Sequence, residues 1–190
     1  MLLYRVFLYD AAAGPGSPGH PTYLHRPQGA GRWDNDRLYG AWYLARSPEG
    51  AIGETFGGYP VWTGAMFDHL ATGLRRALAV FSAPDDVSLS DFDDASRLQQ
   101  LGMRPSQVVI RNGAHTRGKA AEVFAEREAD GSRKWDGVSW WSFHRPTWTN
   151  LMLWQAPGDA APVELREVQE LDVTHSAVVD AARALTRPLP

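Results

Sequence analysis

Apolar positions recur along this chain in short runs and at helical spacing, separated by stretches rich in glycine and proline. Leu2 to Tyr9 is apolar and aromatic and predicts an opening strand. Ala11 to Gly31 reads as a long loop, a class that in compact domains tends to be functional or mobile. Ala41 to Ala45 is a short apolar run, expected as a buried strand. Ser47-Pro48-Glu49 is a helix start, with an N-cap hydroxyl, a proline at the first helical position and an acid in the first turn. That helix is expected to run to about Phe56 and stop at Gly57-Gly58. The pattern further predicts a helix near Gly64 to Leu70, a strand from Arg75 to Ser82 and a short helix from Asp93 to Leu101. An amphipathic helix is expected from Thr116 to Arg127, with Ala120, Val123 and Phe124 on one side. Gly137 to Phe143 and Asn150 to Gln155 read as strands, Val163 to Val173 as an edge strand and His175 to Leu185 as a terminal helix. Strands near both ends with helices between predict an α+β fold: a mixed sheet core with flanking helices, not a regular βαβ series.

Composition narrows the classes. A chain of 190 residues with 44% hydrophobic and 22% charged positions suits a single globular domain able to bury a sizeable core. The net charge of -3 argues against general nucleic-acid binding, which relies on a basic footprint. With no cysteine, disulfides, thiolate metal sites and cysteine nucleophiles are excluded. No apolar run approaches the roughly 20 residues of a membrane helix, and the N-terminus lacks the form of a signal peptide. A cytoplasmic location is the expectation. The six histidines show no H-x-x-x-H or H-E-x-x-H spacing, so no metal is expected. The acids around Asp85, Asp86, Asp91, Asp93 and Asp94 lack the order of a calcium loop.

Four residues stand out chemically. Glu54 has Gly50, Ala51, Gly57 and Gly58 at its i±3 and i±4 positions, with Gly53 adjacent. Small residues let another surface or a ligand approach a carboxylate, although each interior glycine costs a helix about 1 kcal/mol relative to alanine. Glu54 therefore reads either as a functional carboxylate or as a solvated one on a short helix. Arg32 follows Gly29-Ala30-Gly31, where a guanidinium suits phosphate or carboxylate, or else pairs with Asp34 or Asp36. The glycines make neither a dinucleotide fingerprint nor a P-loop. Tyr43 lies in an apolar strand and reads as a core aromatic or a ligand contact. Ser142 alternates with Val138 and Trp140, so its hydroxyl is either a satisfied core group or a ligand contact. The strand is not a nucleophile elbow, and His144 beside Ser142 does not make a triad.

In these positions the chain resembles the RES-domain family, named for its Arg, Glu and Ser, whose best-known members are bacterial toxins paired with Xre-type antitoxins. The matching elements are Tyr4-Arg5-Val6, Gly31-Arg32-Trp33, Tyr43 within Trp42-Tyr43-Leu44-Ala45, Ser47-Pro48-Glu49 followed by Ala51 and Glu54, and Asp136-Gly137-Val138 ahead of Ser142. Asn150 with Leu151 and Leu153 fits the family's next strand. The resemblance places a motif-bearing core at about 2–155, with a strand and helix extension at 160–190. It implies a fold similar to ADP-ribosyltransferase toxins. It also implies a toxin that cleaves the nicotinamide–ribose bond of NAD, its substrate, by hydrolysis or phosphorolysis. Alternatives are transfer of ADP-ribose to a protein and a non-catalytic nucleotide-binding module. Carried over by motif, the site is Arg32 on a phosphate, Tyr43 at the nicotinamide end, Glu54 on the ribose and Ser142 holding the ribose or carboxamide. An Xre-type antitoxin or another immunity protein is the implied partner. A homodimer stays open, with Trp148 as an expected exposed aromatic. Asp34, where many members have Asn, and the bulky Phe143 to Thr149 loop depart from the family pattern and bear on the partner interface and the acceptor.

Overall fold

The structure, a computed structural model, describes residues 1–109 and 113–190. Its strands are β1 (Leu2–Tyr9), β2 (Gly40–Ala45), β3 (Asp68–His69), β4 (Leu74–Ser82), β5 (Leu89–Asp91), β6 (Gly137–Trp141), β7 (Thr149–Gln155) and β8 (Glu164–Glu170). The helices are α1 (Pro48–Phe56), α2 (Ala95–Gln100), α3 (Pro105–Val109), α4 (Gly113–Ala125) and α5 (Ser176–Ala184), with a 3-10 turn at Gly64–Phe67. The fold is α+β, built on one mixed sheet ordered β3-β4-β1-β2-β7-β6-β5, with β8 also paired to β4. Every pairing is antiparallel except that of β5 with β6.

The sheet has a seam. β1 pairs with β4 along its whole length, and β2 does the same with β7. Between β1 and β2 only Tyr4 and Ala45 are in register. Period-two alternation then sorts the side chains. Leu3 and Phe7 of β1 and Phe81 of β4 meet Trp42 and Leu44 of β2 and Leu151 and Leu153 of β7 in one apolar cluster. Trp33, Phe92, Val123, Trp140, Met152 and Trp154 form a second cluster with α2, α3 and α4. Ile52, Phe56, Trp62, Phe67, Leu78 and Val178 form a third, where α1 packs on α5 and the sheet.

Most predicted elements are present, with shifted ends. The segment expected as a helix from Gly64 to Leu70 is instead the 3-10 turn followed by β3, because Asp68 and His69 pair with Arg75 and Leu74 in a hairpin. The strand expected through Phe143 ends at Trp141, where Ser142 N–H turns to the Trp148 carbonyl. Trp148, expected exposed, is only 8% exposed and packs against α1. β5 and α3 were not among the predicted elements. Among the described residues, no helix is long and apolar enough to cross a membrane.

Candidate active site

α1 carries Glu54 over the seam. Ser47, in extended backbone, accepts the Gly50 N–H at 3.1 Å, and Pro48 opens the first turn. Two of the glycines around Glu54, Gly53 and Gly57, meet the loop that follows β6, whereas Gly58 stands in open space. A Cβ on Gly53 would strike the Trp148 ring, and one on Gly57 would lie 2.7 Å from the His144 ring. Gly57 has ordinary helical backbone at φ -60°, so its neighbours, the Gly53 carbonyl and the His144 ring, and not its conformation demand glycine. At Gly53 and Gly57 the space that the sequence leaves beside Glu54 is thus filled by another surface of the same protein.

Ser142 pins that loop. It is fully buried, and its Oγ accepts the backbone N–H groups of His144 and Arg145 at 3.1 and 3.3 Å. It lines neither cavity beside Glu54, so its placement is that of a hydroxyl that shapes the wall from behind.

Arg32, Tyr43 and Glu54 come together. With Trp140, His144 and Gly31 they line an open cleft of about 710 Å³. The Arg32 guanidinium lies 5.7 Å from the Trp140 ring centroid and donates to the Val108 carbonyl at 3.0 Å. The loop bearing Arg32 is tied to Tyr43. Tyr43 donates its hydroxyl proton to Asp34 Oδ1 at 2.8 Å and accepts the Trp33 N–H at 2.9 Å, while Asp34 Oδ2 takes the Gly31 N–H at 2.7 Å. A Cβ on Gly31 would collide with the Tyr43 hydroxyl, which explains this glycine, whereas Gly29 stands in open space. Burial, and then the Asp34 charge, push the Tyr43 hydroxyl far above its ordinary range. It stays protonated and presents its ring, not an acid or a base, to the cleft.

A second recess, of about 180 Å³, shares Tyr43, Glu54 and Trp140 with the cleft and is also lined by Arg5 and Asn150. Two of these were not singled out as site residues. Arg5 lies over the Trp42 ring, 6.0 Å from its centroid; its Nη1 is buried without a hydrogen-bond partner among the described residues, and burial lowers its pKa. Asn150, 3% exposed, donates to Glu54 Oε1 at 2.9 Å. The available signal was weak: Arg5 is the one charged residue of β1, and Asn150 sits beside Thr149 at the start of β7. Glu54 makes no ion pair among the described residues. No group of three or more His, Asp or Glu placed to hold a metal ion occurs among them either.

The arrangement can hold an anionic group at Arg32, stack a flat ring against Tyr43 or Trp140, and place a carboxylate on the shared wall of two spaces. Comparison with known proteins gives this geometry a context. No curated relative matches the chain by sequence. Among solved structures, the crystal structure of the M. tuberculosis MbcT–MbcA toxin–antitoxin complex is similar, with a TM-score of 0.57 and 16% sequence identity over 97% of this chain and 88% of the other. At that identity the likeness is one of fold. The family described as the RES domain matches residues 2–176, nearly the whole chain. The chain belongs to the RES-domain family.

Proposed function

We propose that this protein cleaves the nicotinamide–ribose bond of NAD and acts as the toxin of a toxin–antitoxin pair. The observation that carries the reading is the Glu54 carboxylate. It is oriented by a neutral amide, free of any ion pair among the described residues, and shares one cleft with Arg32 and Tyr43. In the cleavage the C–N glycosidic bond breaks and its electron pair leaves with nicotinamide, which is released neutral. Positive charge develops on the ribose, and an uncompensated carboxylate beside it lowers the barrier electrostatically. Arg32 suits a phosphate of the substrate, and the Tyr43 ring suits the flat nicotinamide. Ser142 acts by holding the Phe143–His144 wall. Water, phosphate or a protein nucleophile then bonds to the ribose carbon and loses its proton.

Nicotinamide released from NAD by purified wild type and by Glu54→Gln is the test. The substitution is expected to lower kcat/KM by about a hundred- to a thousandfold, roughly 2.7–4 kcal/mol of transition-state stabilisation. A Glu54→Gln protein with wild-type turnover would sink the assignment. A wild type that releases no nicotinamide, with or without phosphate, would favour a binding module. Labelled protein formed from labelled NAD would identify a transferase.

The similar fold was solved as a toxin–antitoxin complex, which supports a dedicated inhibitory partner here. An Xre-type protein is the proposed partner. Co-expression of such a partner is expected to restore growth to cells arrested by this chain.

A further inference from the structure

Glu54 projects from a short helix, and a glutamate side chain has several rotatable bonds. A carboxylate that must face a reacting carbon needs something to fix its direction. β7 supplies it. Asn150 stands near the start of that strand, paired with Ala45 on one side and Trp140 on the other, so its backbone is locked from both edges. Its neighbours on the same strand face, Met152 and Trp154, are core residues. A polar side chain buried to 3% exposure at such a position is costly unless it is hydrogen-bonded. The hydrogen bond that Asn150 makes is to Glu54 Oε1, at 2.9 Å.

The chemistry of the donor matters. A carboxylate only accepts, so the amide must turn its NH2 toward Glu54, and its orientation is settled by its partner. An arginine or lysine in that place would hold Glu54 equally well but would cancel its charge. An amide holds the carboxylate and leaves it negative. Oε2 makes no hydrogen bond among the described residues, so one oxygen is anchored and the carboxylate, which lines the cleft, keeps the other uncommitted.

We infer that Asn150 is a positioning residue for Glu54, fixing the direction of the carboxylate without offsetting its charge. The inference rests on the cleavage reading above. It distinguishes Asn150 from residues that bind substrate, since its action passes through Glu54.

The test measures kcat and KM for nicotinamide release by wild type, Asn150→Ala, Glu54→Gln and the double variant, with the thermal midpoint of each. Asn150→Ala is expected to lower kcat by about ten- to a hundredfold, the scale of a small misplacement of a reacting group. KM should stay within about twofold. In the Glu54→Gln background the same change should lower kcat no further, because the group it positions is already gone. A loss confined to KM, or an equal loss in both backgrounds, overturns the inference and leaves the cleavage reading standing. A wild type that releases no nicotinamide overturns the cleavage reading, and the role of Asn150 falls with it. Should the alanine variant fail to fold, Asn150→Leu keeps the volume without the donor and carries the same comparison. Asn150→Ser, whose hydroxyl can donate, should recover part of kcat.

Discussion

At Tyr43 the two ends of one side chain face different neighbours. The ring lines the cleft, while the hydroxyl bridges Asp34 and the Trp33 backbone. Replacing it with Phe keeps the ring and leaves a buried carboxylate and an amide each short of a partner. Tyr43→Phe should therefore cost about 1–3 kcal/mol of stability, read as a lower thermal midpoint, while KM for NAD changes little. A variant as stable as wild type would show that the hydroxyl does not hold the Arg32 loop. Arg32 and Glu54 were legible as candidates because each breaks its local pattern, an arginine after glycines and a carboxylate among glycines, whereas Tyr43 stood out only through the family motif. For Ser142 the sequence left two readings open, since whether a hydroxyl faces a ligand or caps a turn depends on where its strand ends. Arg5 and Asn150 were hidden because one polar residue in a strand looks like ordinary alternation; only the seam and the approach of Glu54 give them their surroundings.

On the scale of elements, α1 pairs a poor helix sequence with a specific neighbour. Its cap, proline and length could be read directly, since they depend on residues adjacent in sequence. What its glycines accommodate could not, because Trp148 and His144 arrive from far along the chain. Gly53→Ala sets two effects against each other. Helix propensity favours alanine by about 1 kcal/mol, but the new methyl meets the Trp148 ring, and overpacking costs about 1–3 kcal/mol. A net loss is expected, seen as a lower midpoint in thermal unfolding; a stabilised variant would mean that the loop yields easily. β5 escaped prediction for a related reason. It is three residues long, and its parallel pairing to β6 is a tertiary feature, not a local preference. The Gly64 to Leu70 segment was misread because a turn feeding a hairpin shares its apolar content with a helix.

Across the whole molecule, a charged network clamps the helical layer to the edge of the sheet. Arg97 of α2 donates to Ser90 of β5 at 2.7 Å and to Glu126, just past α4, which also accepts the Trp135 Nε1–H at 2.8 Å. Burial pushes the Glu126 carboxyl up, but the bonds from Arg97 and Trp135 outweigh it and hold the group below its usual range. A depressed carboxylate contributes stability above its unfolded-state pKa and loses it as pH falls through the folded value. The midpoint gap between wild type and Glu126→Gln should therefore be widest near neutrality and close in acid; a gap independent of pH would exclude the ionised pair as its source. The seam between β1 and β2 has a further consequence. With a single backbone pair, Tyr4 to Ala45, joining the two halves, their amides are expected to form separate opening units in hydrogen exchange. The recess beside Glu54 has walls from both units. Whatever lodges there splices them, so a molecule that plugs the site also slows the breathing of the sheet beneath it.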